Sequence, residues 1–180
     1  MAYCYGSYEG TLRELIHLFK YGGIKTLARP LGDLLALALP RDQQFDIVVP
    51  MPLHWRRRWR RGFNQSSLLA RLTARRCGIP MLHAVRRTRS TATQAGLTNA
   101  RRRENVSGAF RVTKGPAVRG RRVLLIDDVM TTGATANACA LALKRGGASS
   151  VTLLALARVD RRLVETHGLD ADMQVPREVA

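Results

Sequence analysis

The sequence of 180 residues is poor in cysteine. Its three cysteines lie far apart and form no C-x-x-C pair, so their spacing predicts neither a zinc site nor a disulfide framework. Isolated cysteines in a reducing compartment are mostly ordinary buried thiols, and we expect this role for Cys4, Cys77 and Cys139.

Long apolar runs are also absent. The longest, residues 34–39 and 151–157, are much shorter than the roughly 20 residues that span a bilayer. Residues 1–10 carry tyrosines and glycines instead of the basic and then apolar stretches of a secretion signal. We therefore expect a cytoplasmic protein without a membrane span.

Acidic residues are scarce. The chain has 13 Asp and Glu against 30 Lys and Arg, most of them arginine, and its formal net charge is +17. Such a charge attracts anions in general, so a phosphorylated metabolite, single-stranded DNA and RNA are all candidate partners. A GC-rich genome also produces an arginine-rich protein, and this second explanation stays open.

The apolar pattern predicts an α/β fold. A strand, a helix and a further strand follow one another closely in residues 123–157, which is typical of a βαβ unit, so we expect a central, mostly parallel sheet flanked by helices. Thr11 and Glu14 match a capping box at the start of the first helix. The predicted helices are residues 11–21, 30–39, 64–76 and 134–145, and the predicted strands are 45–49, 123–126 and 151–157.

One domain is expected, because a chain of this length suits a single core. We place it in residues 1–160, with the first two helices forming a small hood over about residues 1–42 and the core over about 43–160. Residues 161–180 have little apolar content and are expected to be a peripheral tail.

Residues 123–135 combine a buried strand, two acids and a Thr- and Gly-rich loop that enters a helix. Parallel strands bring ligands to their carboxyl ends, where the next helix offers unpaired N–H groups and the positive end of its dipole. A glycine lets the backbone approach a phosphate, and hydroxyls add donors. These features predict a monophosphate site at Thr131, Thr132, Gly133 and Thr135.

Asp127 and Asp128 precede this loop, where a sugar attached to the phosphate is expected to lie. Ionised carboxylates accept hydrogen bonds from ribose hydroxyls, and they also suit Mg²⁺, directly or through water. The alternative is structural, because acids after a strand also cap the next helix.

Residues 123–135 resemble the phosphoribosyl-pyrophosphate loop of type I phosphoribosyltransferases. The resemblance implies the fold of that family and the ligand 5-phosphoribosyl-1-pyrophosphate with Mg²⁺, and it implies no general base. Thr131 stands where purine-salvage members carry an aspartate, so the chain does not resemble a hypoxanthine-guanine enzyme. The implied ribose and Mg²⁺ residues are Asp127 and Asp128, and the implied 5′-phosphate residues are Thr131, Thr132, Gly133, Ala134 and Thr135.

Further segments resemble the ComF-type, competence-associated branch of this superfamily. Members of this branch commonly begin with a four-cysteine zinc ribbon, and the present sequence has no such module, which leaves the role of the ribbon open here. The resemblance covers about residues 5–158 through segments 15–22, 49–53, 61–65 and 108–110 and through Gln94, Leu97, Arg101 and Asn105.

The loop after the first core strand contacts pyrophosphate in type I phosphoribosyltransferases. Guanidinium groups suit phosphate oxygens, so arginines in this loop are included in the expected site. Trp55 and Trp59 alternate with these arginines, a pattern that also stacks the bases of single-stranded nucleic acid or packs rings on a core. The implied pyrophosphate residues are Met51, Pro52, Leu53, Arg56, Arg60 and Arg61.

Residues 86–104 are polar, basic and poor in aliphatic side chains, which is typical of a long loop. They resemble the flexible loop that closes over the substrate in this superfamily. Its three consecutive arginines are expected either to meet pyrophosphate or to be a solvated run of charge. The residues assigned to this loop are Arg86, Gln94, Arg101, Arg102 and Arg103.

Two functions follow as hypotheses. The first is a phosphoribosyltransferase-like protein that binds 5-phosphoribosyl-1-pyrophosphate and Mg²⁺ and transfers the phosphoribosyl group to an unidentified acceptor. The second is a non-catalytic accessory protein of competence and DNA uptake, which binds the metabolite and single-stranded DNA. A homodimer is left open as the oligomeric state.

Overall fold

The computed structural model of the chain describes residues 1–53, 62–88 and 108–159. None of the helices in this part of the chain is long and apolar enough to cross a bilayer. In chain order the elements are β1 (Ala2–Ser7), α1 (Gly10–Tyr21), a 3-10 turn (Lys25–Leu27), α2 (Ala28–Leu37), β2 (Ile47–Pro50), α3 (Gln65–Cys77), β3 (Val85–Arg87), β4 (Phe110–Val112), α4 (Gly115–Val118), β5 (Arg122–Met130), α5 (Ala134–Arg145) and β6 (Ser150–Arg158).

The central sheet has four strands in the order β1–β6–β5–β2, and every neighbouring pair is parallel. Strands β3 and β4 form a separate antiparallel pair. This arrangement confirms the predicted α/β class with a parallel central sheet. All carboxyl ends of the central strands therefore meet at one edge, which is where ligands bind in such folds.

Apolar side chains cover both faces of the sheet. Successive residues of a strand point to opposite faces, so Leu124 and Ile126 pack with α1, α2 and α3, whereas Val123 and Leu125 pack with α5 and the β3–β4 pair. All four side chains are fully buried. This explains why residues 123–126 are apolar at every position.

Helices α2 and α3 approach each other closely at Gly32. A Cβ atom at this position would lie 3.0 Å from Cδ1 of Leu72, so the Leu72 side chain would have to shift by a few tenths of an ångström to admit a larger residue. Helix α2 begins at Ala28, two residues earlier than expected, because Ala28 is buried together with Leu31 and Leu35. Pro30 is therefore the third helical residue and not the first.

The capping box predicted at the start of the first helix is not formed. Helix α1 begins at Gly10 with Glu9 at its N-cap, and no side chain caps it, so Thr11 and Glu14 form no capping box. The predicted hood of residues 1–42 includes β1, which belongs to the central sheet and pairs in parallel with β6. That α1 and α2 form a small hood, with a boundary to the core near residue 42, stays a prediction.

Strand β5 is longer than predicted. Its pairing with β6 continues beyond Ile126 through Asp127, opposite Ala155, to Met130, opposite Arg158. The two acids therefore lie within a strand, and hydrogen bonding to the neighbouring strand outweighs the low strand preference of aspartate. Residues 85–87 form β3, because they pair with β4. Residues 86 and 87 are therefore strand residues and do not belong to the predicted loop.

Candidate functional site

The carboxyl edge of the central sheet borders a cleft of about 330 Å³. Strand β5 contributes Asp127 and Asp128, and the turn after it contributes Thr131, Gly133 and Thr135. Helices α1 and α3 line the same cleft, as do the segment after β2 and one residue of β3. Both predicted ribose residues and three of the five predicted phosphate residues are thus brought to a single cavity.

Asp127 is part-buried and has two donors on the same oxygen. The Ser66 hydroxyl donates to its Oδ1 at 3.1 Å, and the backbone N–H of Asp128 donates to this atom at 3.0 Å. Burial raises the pKa of Asp127 above the ordinary carboxyl value, and the negative charge of Asp128 adds to the effect. Lys20 and the two hydrogen bonds oppose it.

Asp128 is buried and forms an ion pair with Lys20 of α1. The Lys20 Nζ lies 2.9 Å from Asp128 Oδ1, and the two side chains are 14% and 13% exposed. Each carboxylate of the acid pair therefore has its own partner: Ser66 for Asp127 and Lys20 for Asp128. Both partners come from helices on the same face of the sheet.

A left-handed glycine at a helix N-terminus defines the turn between β5 and α5. Gly133 is the N-cap of α5 and has a φ of 73°, a left-handed conformation that costs strain for any residue with a Cβ atom. The Ala134 N–H donates to Thr132 Oγ1 at 3.3 Å. Thr132 and Ala134 thus shape the turn, while Thr131, Gly133 and Thr135 line the cleft.

The predicted pyrophosphate segment contributes three residues to the cleft: Met51, Pro52 and Leu53. Met51 is buried, its N–H donates to the Ile126 carbonyl at 2.8 Å, and its own carbonyl accepts from Asn64 Nδ2 at 3.1 Å. These bonds tie the segment to β5 and to the start of α3. Arg56, Arg60 and Arg61 lie outside the described residues, as do Trp55 and Trp59.

The assignment of Arg86 to the flexible loop is wrong, because this residue lies in β3. Arg86 is exposed on β3 opposite Arg111, whereas Arg87 lines the cleft with its guanidinium 5.6 Å from the centre of the Phe110 ring. The alternation of side chains along a strand puts the two arginines on opposite faces. Gln94, Arg101, Arg102 and Arg103 lie outside the described residues.

Several cleft residues were not assigned from the sequence. Lys20 and Asn64 stand in segments 15–22 and 61–65, which carry the ComF resemblance. The resemblance therefore indicated these segments, but it gave no role for either residue. Ser66 follows such a segment directly. Arg87 could be found only once the register of β3 was known.

The acid pair fits Mg²⁺ only in part. Within the described residues no group of three or more His, Cys, Asp or Glu side chains could hold a metal ion. Two adjacent carboxylates nevertheless supply the oxygen ligands that Mg²⁺ prefers, with water and ligand phosphate oxygens completing its coordination. Asp127 and Asp128 therefore suit a cation that binds together with a phosphate ligand.

One family model and several curated proteins are similar to this chain in sequence. The family model described as "Phosphoribosyl transferase domain" matches residues 64–175. The chain is 39% identical over 163 residues to the DNA utilization protein YhgH of Escherichia coli K12, covering 84% of this chain and 69% of that protein. It is 37% identical over 161 residues to Competence protein F of Haemophilus influenzae, covering 85% and 70%.

A solved structure supports the fold. The adenine phosphoribosyltransferase from Thermoanaerobacter pseudethanolicus superposes with a TM-score of 0.51, covering 82% of this chain and 77% of that one. The two sequences are 18% identical, so this likeness concerns the fold alone.

Proposed function

Because the chain belongs to the phosphoribosyl transferase domain family, in its ComF-type competence branch, we propose that its cleft binds 5-phosphoribosyl-1-pyrophosphate with Mg²⁺. One observation carries the proposal. Two carboxylates and a glycine-capped helix N-terminus line the same cleft, so acceptors for a diol and donors for a phosphate lie side by side. A phosphorylated ribose offers this combination of groups.

The ligand is placed by the chemistry of each group. Thr131, Gly133 and Thr135, which line the cleft, donate to the 5′-phosphate from backbone N–H groups and hydroxyls, and the positive end of the α5 dipole favours its charge. The ribose hydroxyls donate to Asp127 and Asp128. The pyrophosphate extends toward residues 51–53 and Arg87, whose guanidinium is a strong donor to phosphate oxygens.

The proposed reaction is transfer of the phosphoribosyl group. A nucleophilic atom of the acceptor forms a bond to C1 of the ribose, the bond from C1 to the pyrophosphate oxygen breaks, and the electron pair leaves with pyrophosphate. The ribose ring gains positive charge as this bond breaks, and the carboxylates of Asp127 and Asp128 stabilise that charge. Arg87 stabilises the negative charge on the leaving group. Asp127 and Asp128 would hold Mg²⁺, which would help to neutralise the negative charge of the leaving group.

A second candidate is a binding protein of DNA uptake that performs no transfer. The names of the relatives, DNA utilization protein and Competence protein F, favour it, as does the net charge of +17. In this case the metabolite occupies the same cleft, and single-stranded DNA binds elsewhere, with Trp55 and Trp59 as candidate stacking residues.

Calorimetry and a turnover assay separate these functions. The purified chain is expected to bind the metabolite with Mg²⁺ and to release pyrophosphate when the correct base or amine is added. Binding without pyrophosphate release across a broad panel of acceptors favours the second candidate. Affinity for single strands that falls with salt and with Trp55→Ala plus Trp59→Ala supports the DNA contact, and salt-insensitive or absent binding removes it.

The acid pair gives the sharpest test of the site. Asp127→Asn combined with Asp128→Asn is expected to abolish metabolite binding in calorimetry, because the amides cannot replace two charged acceptors for the ribose and Mg²⁺. Asp42→Asn, at an exposed carboxylate, is the matched control and should leave affinity unchanged. Unchanged affinity in the double variant would remove the ribose assignment.

A further inference from the structure

Lys20 lies outside the matched family domain of residues 64–175, yet it is paired with an acid in the cleft. We propose that Lys20 is a positioning residue for the phosphoribosyl ligand, which holds the Asp128 carboxylate toward the ribose and lowers the negative charge that a polyanion meets on entering. The inference rests on the proposed function, since it concerns the same ligand.

The backbone that carries Lys20 is firmly anchored. Ile16 and Phe19, in the last two turns of α1, are fully buried in the core cluster on this face of the sheet. The Phe19 ring packs against the Phe63 ring with 5.6 Å between their centres. Lys20 therefore extends from a fixed helix end, and its ammonium reaches Asp128 without help from a mobile segment.

The environment makes this ion pair stronger than an ordinary surface pair. The Lys20 and Asp128 side chains are 14% and 13% exposed, whereas those of the Arg76–Asp33 pair are 56% and 58% exposed. Water screens the first pair less, so its members influence each other and nearby charges more. A buried ion pair that loses one member leaves the other uncompensated, which disturbs the site more than the loss of an exposed contact.

The charge balance explains what the pair does for a ligand. Asp127 and Asp128 are consecutive and, when both are ionised, carry two negative charges at the cleft. A ligand with a phosphate and a pyrophosphate is itself strongly anionic, so an uncompensated acid pair would repel it. Lys20 removes one of the two charges while leaving carboxylate oxygens in place as acceptors. The cleft can then offer acceptors to the ribose without rejecting the phosphates.

Lys20 lines the cleft, but its ammonium is already engaged by an acid of the cleft. Its ammonium is bonded to Asp128, while Asp127 receives its hydrogen bonds from Ser66 and from the backbone. Lys20 thus acts on the ligand through Asp128. Its removal should matter only while Asp128 is a carboxylate, and this condition can be measured.

The experiment is a double-mutant cycle in calorimetry with 5-phosphoribosyl-1-pyrophosphate and Mg²⁺. Lys20→Met is expected to weaken binding by about tenfold or more, and Lys20→Arg, which keeps the charge, by less than about threefold. In an Asp128→Asn background, Lys20→Met should add less than about threefold. Lys25→Met, at an exposed lysine in the turn after α1, is the matched control and should leave affinity unchanged.

Ribose 5-phosphate provides a second probe, because it lacks the pyrophosphate. A loss for both ligands in Lys20→Met, larger for the more anionic pyrophosphate ligand, supports action through Asp128 and its charge. A loss confined to the pyrophosphate ligand, with unchanged binding of ribose 5-phosphate, indicates direct contact with pyrophosphate and overturns the inference. Lys20→Gln repeats the test if Lys20→Met does not show the cooperative thermal unfolding of the wild type. Wild-type affinity in the neutral variants, or equal losses with and without Asp128→Asn, also overturns it. Absence of binding by the wild type itself would reject the proposed function as well.

Discussion

The two sides of the cleft are built in different ways. On the β5–α5 side, the groups proposed to bind phosphate are consecutive residues of one turn, 131–135, and the helix begins directly after Gly133. On the α1–α3 side, Lys20 and Ser66 come from separate helices and reach the acid pair of β5 across the core. The first side depends on local backbone geometry, whereas the second depends on the packing that holds two helices against the sheet.

Loss of core packing should therefore disturb the α1–α3 side of the cleft more than the β5–α5 side. Phe19→Ala removes a fully buried ring beside Lys20 and is expected to lower the free energy of unfolding by about 3–5 kcal/mol. Urea unfolding measures this loss. Leu18→Ala, at a side chain that is 43% exposed, is the control and should cost less than about 1 kcal/mol. Similar losses for the two variants would show that α1 is not anchored as described.

A change of backbone conformation should disturb the β5–α5 side of the cleft. Gly133→Ala forces a Cβ atom into a φ of 73°, and the strain is expected to cost about 1–2 kcal/mol of stability. The nearest atom to the new Cβ is the Met130 sulphur at 3.9 Å, so strain and not collision is the cause. Metabolite affinity should fall by about tenfold as the turn relaxes away from its anion-binding geometry.

Gly115→Ala is the matched control for this turn. Gly115 begins α4, has no positive φ, and has open space around a new Cβ. Its replacement should leave both stability and affinity close to those of the wild type. If Gly133→Ala behaved in the same way, the left-handed turn would not be required for the site.

The smallest effect is expected at Ser66. Ser66→Ala removes one hydrogen bond to Asp127 and should weaken metabolite binding by about 1 kcal/mol, or roughly fivefold. Ser67→Ala is the control, because Ser67 does not line the cleft. Calorimetry on the two variants shows whether the α1–α3 side contributes to metabolite affinity through this hydrogen bond.

Ser66→Ala should also change the pH dependence. The hydrogen bond from Ser66 lowers the pKa of Asp127, which burial and Asp128 raise, so its removal raises that pKa further. Ligand binding requires the ionised carboxylate and is lost as the pH falls through this pKa. The variant should therefore lose affinity at a higher pH than the wild type. An unchanged midpoint would mean that Asp127 is not the titrating acceptor.

The same division explains what the sequence could predict. Helix α5 was expected at residues 134–145 and occupies Ala134–Arg145, because a glycine and the apolar period mark its start and its face. The position of the turn before it was predictable for the same local reasons. Strand β1 was missed because residues 2–7 are half-exposed and contain no Leu, Ile or Val, so no apolar strand pattern is present.

Contacts between elements that are distant in sequence could not be predicted from local sequence patterns. The pairing of Lys20 with Asp128 depends on where α1 lies relative to β5, and the position of Arg87 depends on the register of β3 with β4. A one-residue change in that register would exchange the arginine in the cleft for one on the outer face, so the sequence alone could not distinguish Arg86 from Arg87. The acid pair itself was recognised, but its two partners required the fold.

A crystal structure of the complex with 5-phosphoribosyl-1-pyrophosphate and Mg²⁺ tests the central claim most directly. We predict the 5′-phosphate within hydrogen-bonding distance of the N–H groups of residues 131–135, and the ribose hydroxyls on the carboxylates of Asp127 and Asp128. The Lys20 ammonium should still contact Asp128. A ligand bound away from the β5–α5 turn, or a ribose that does not touch the acid pair, would contradict this account.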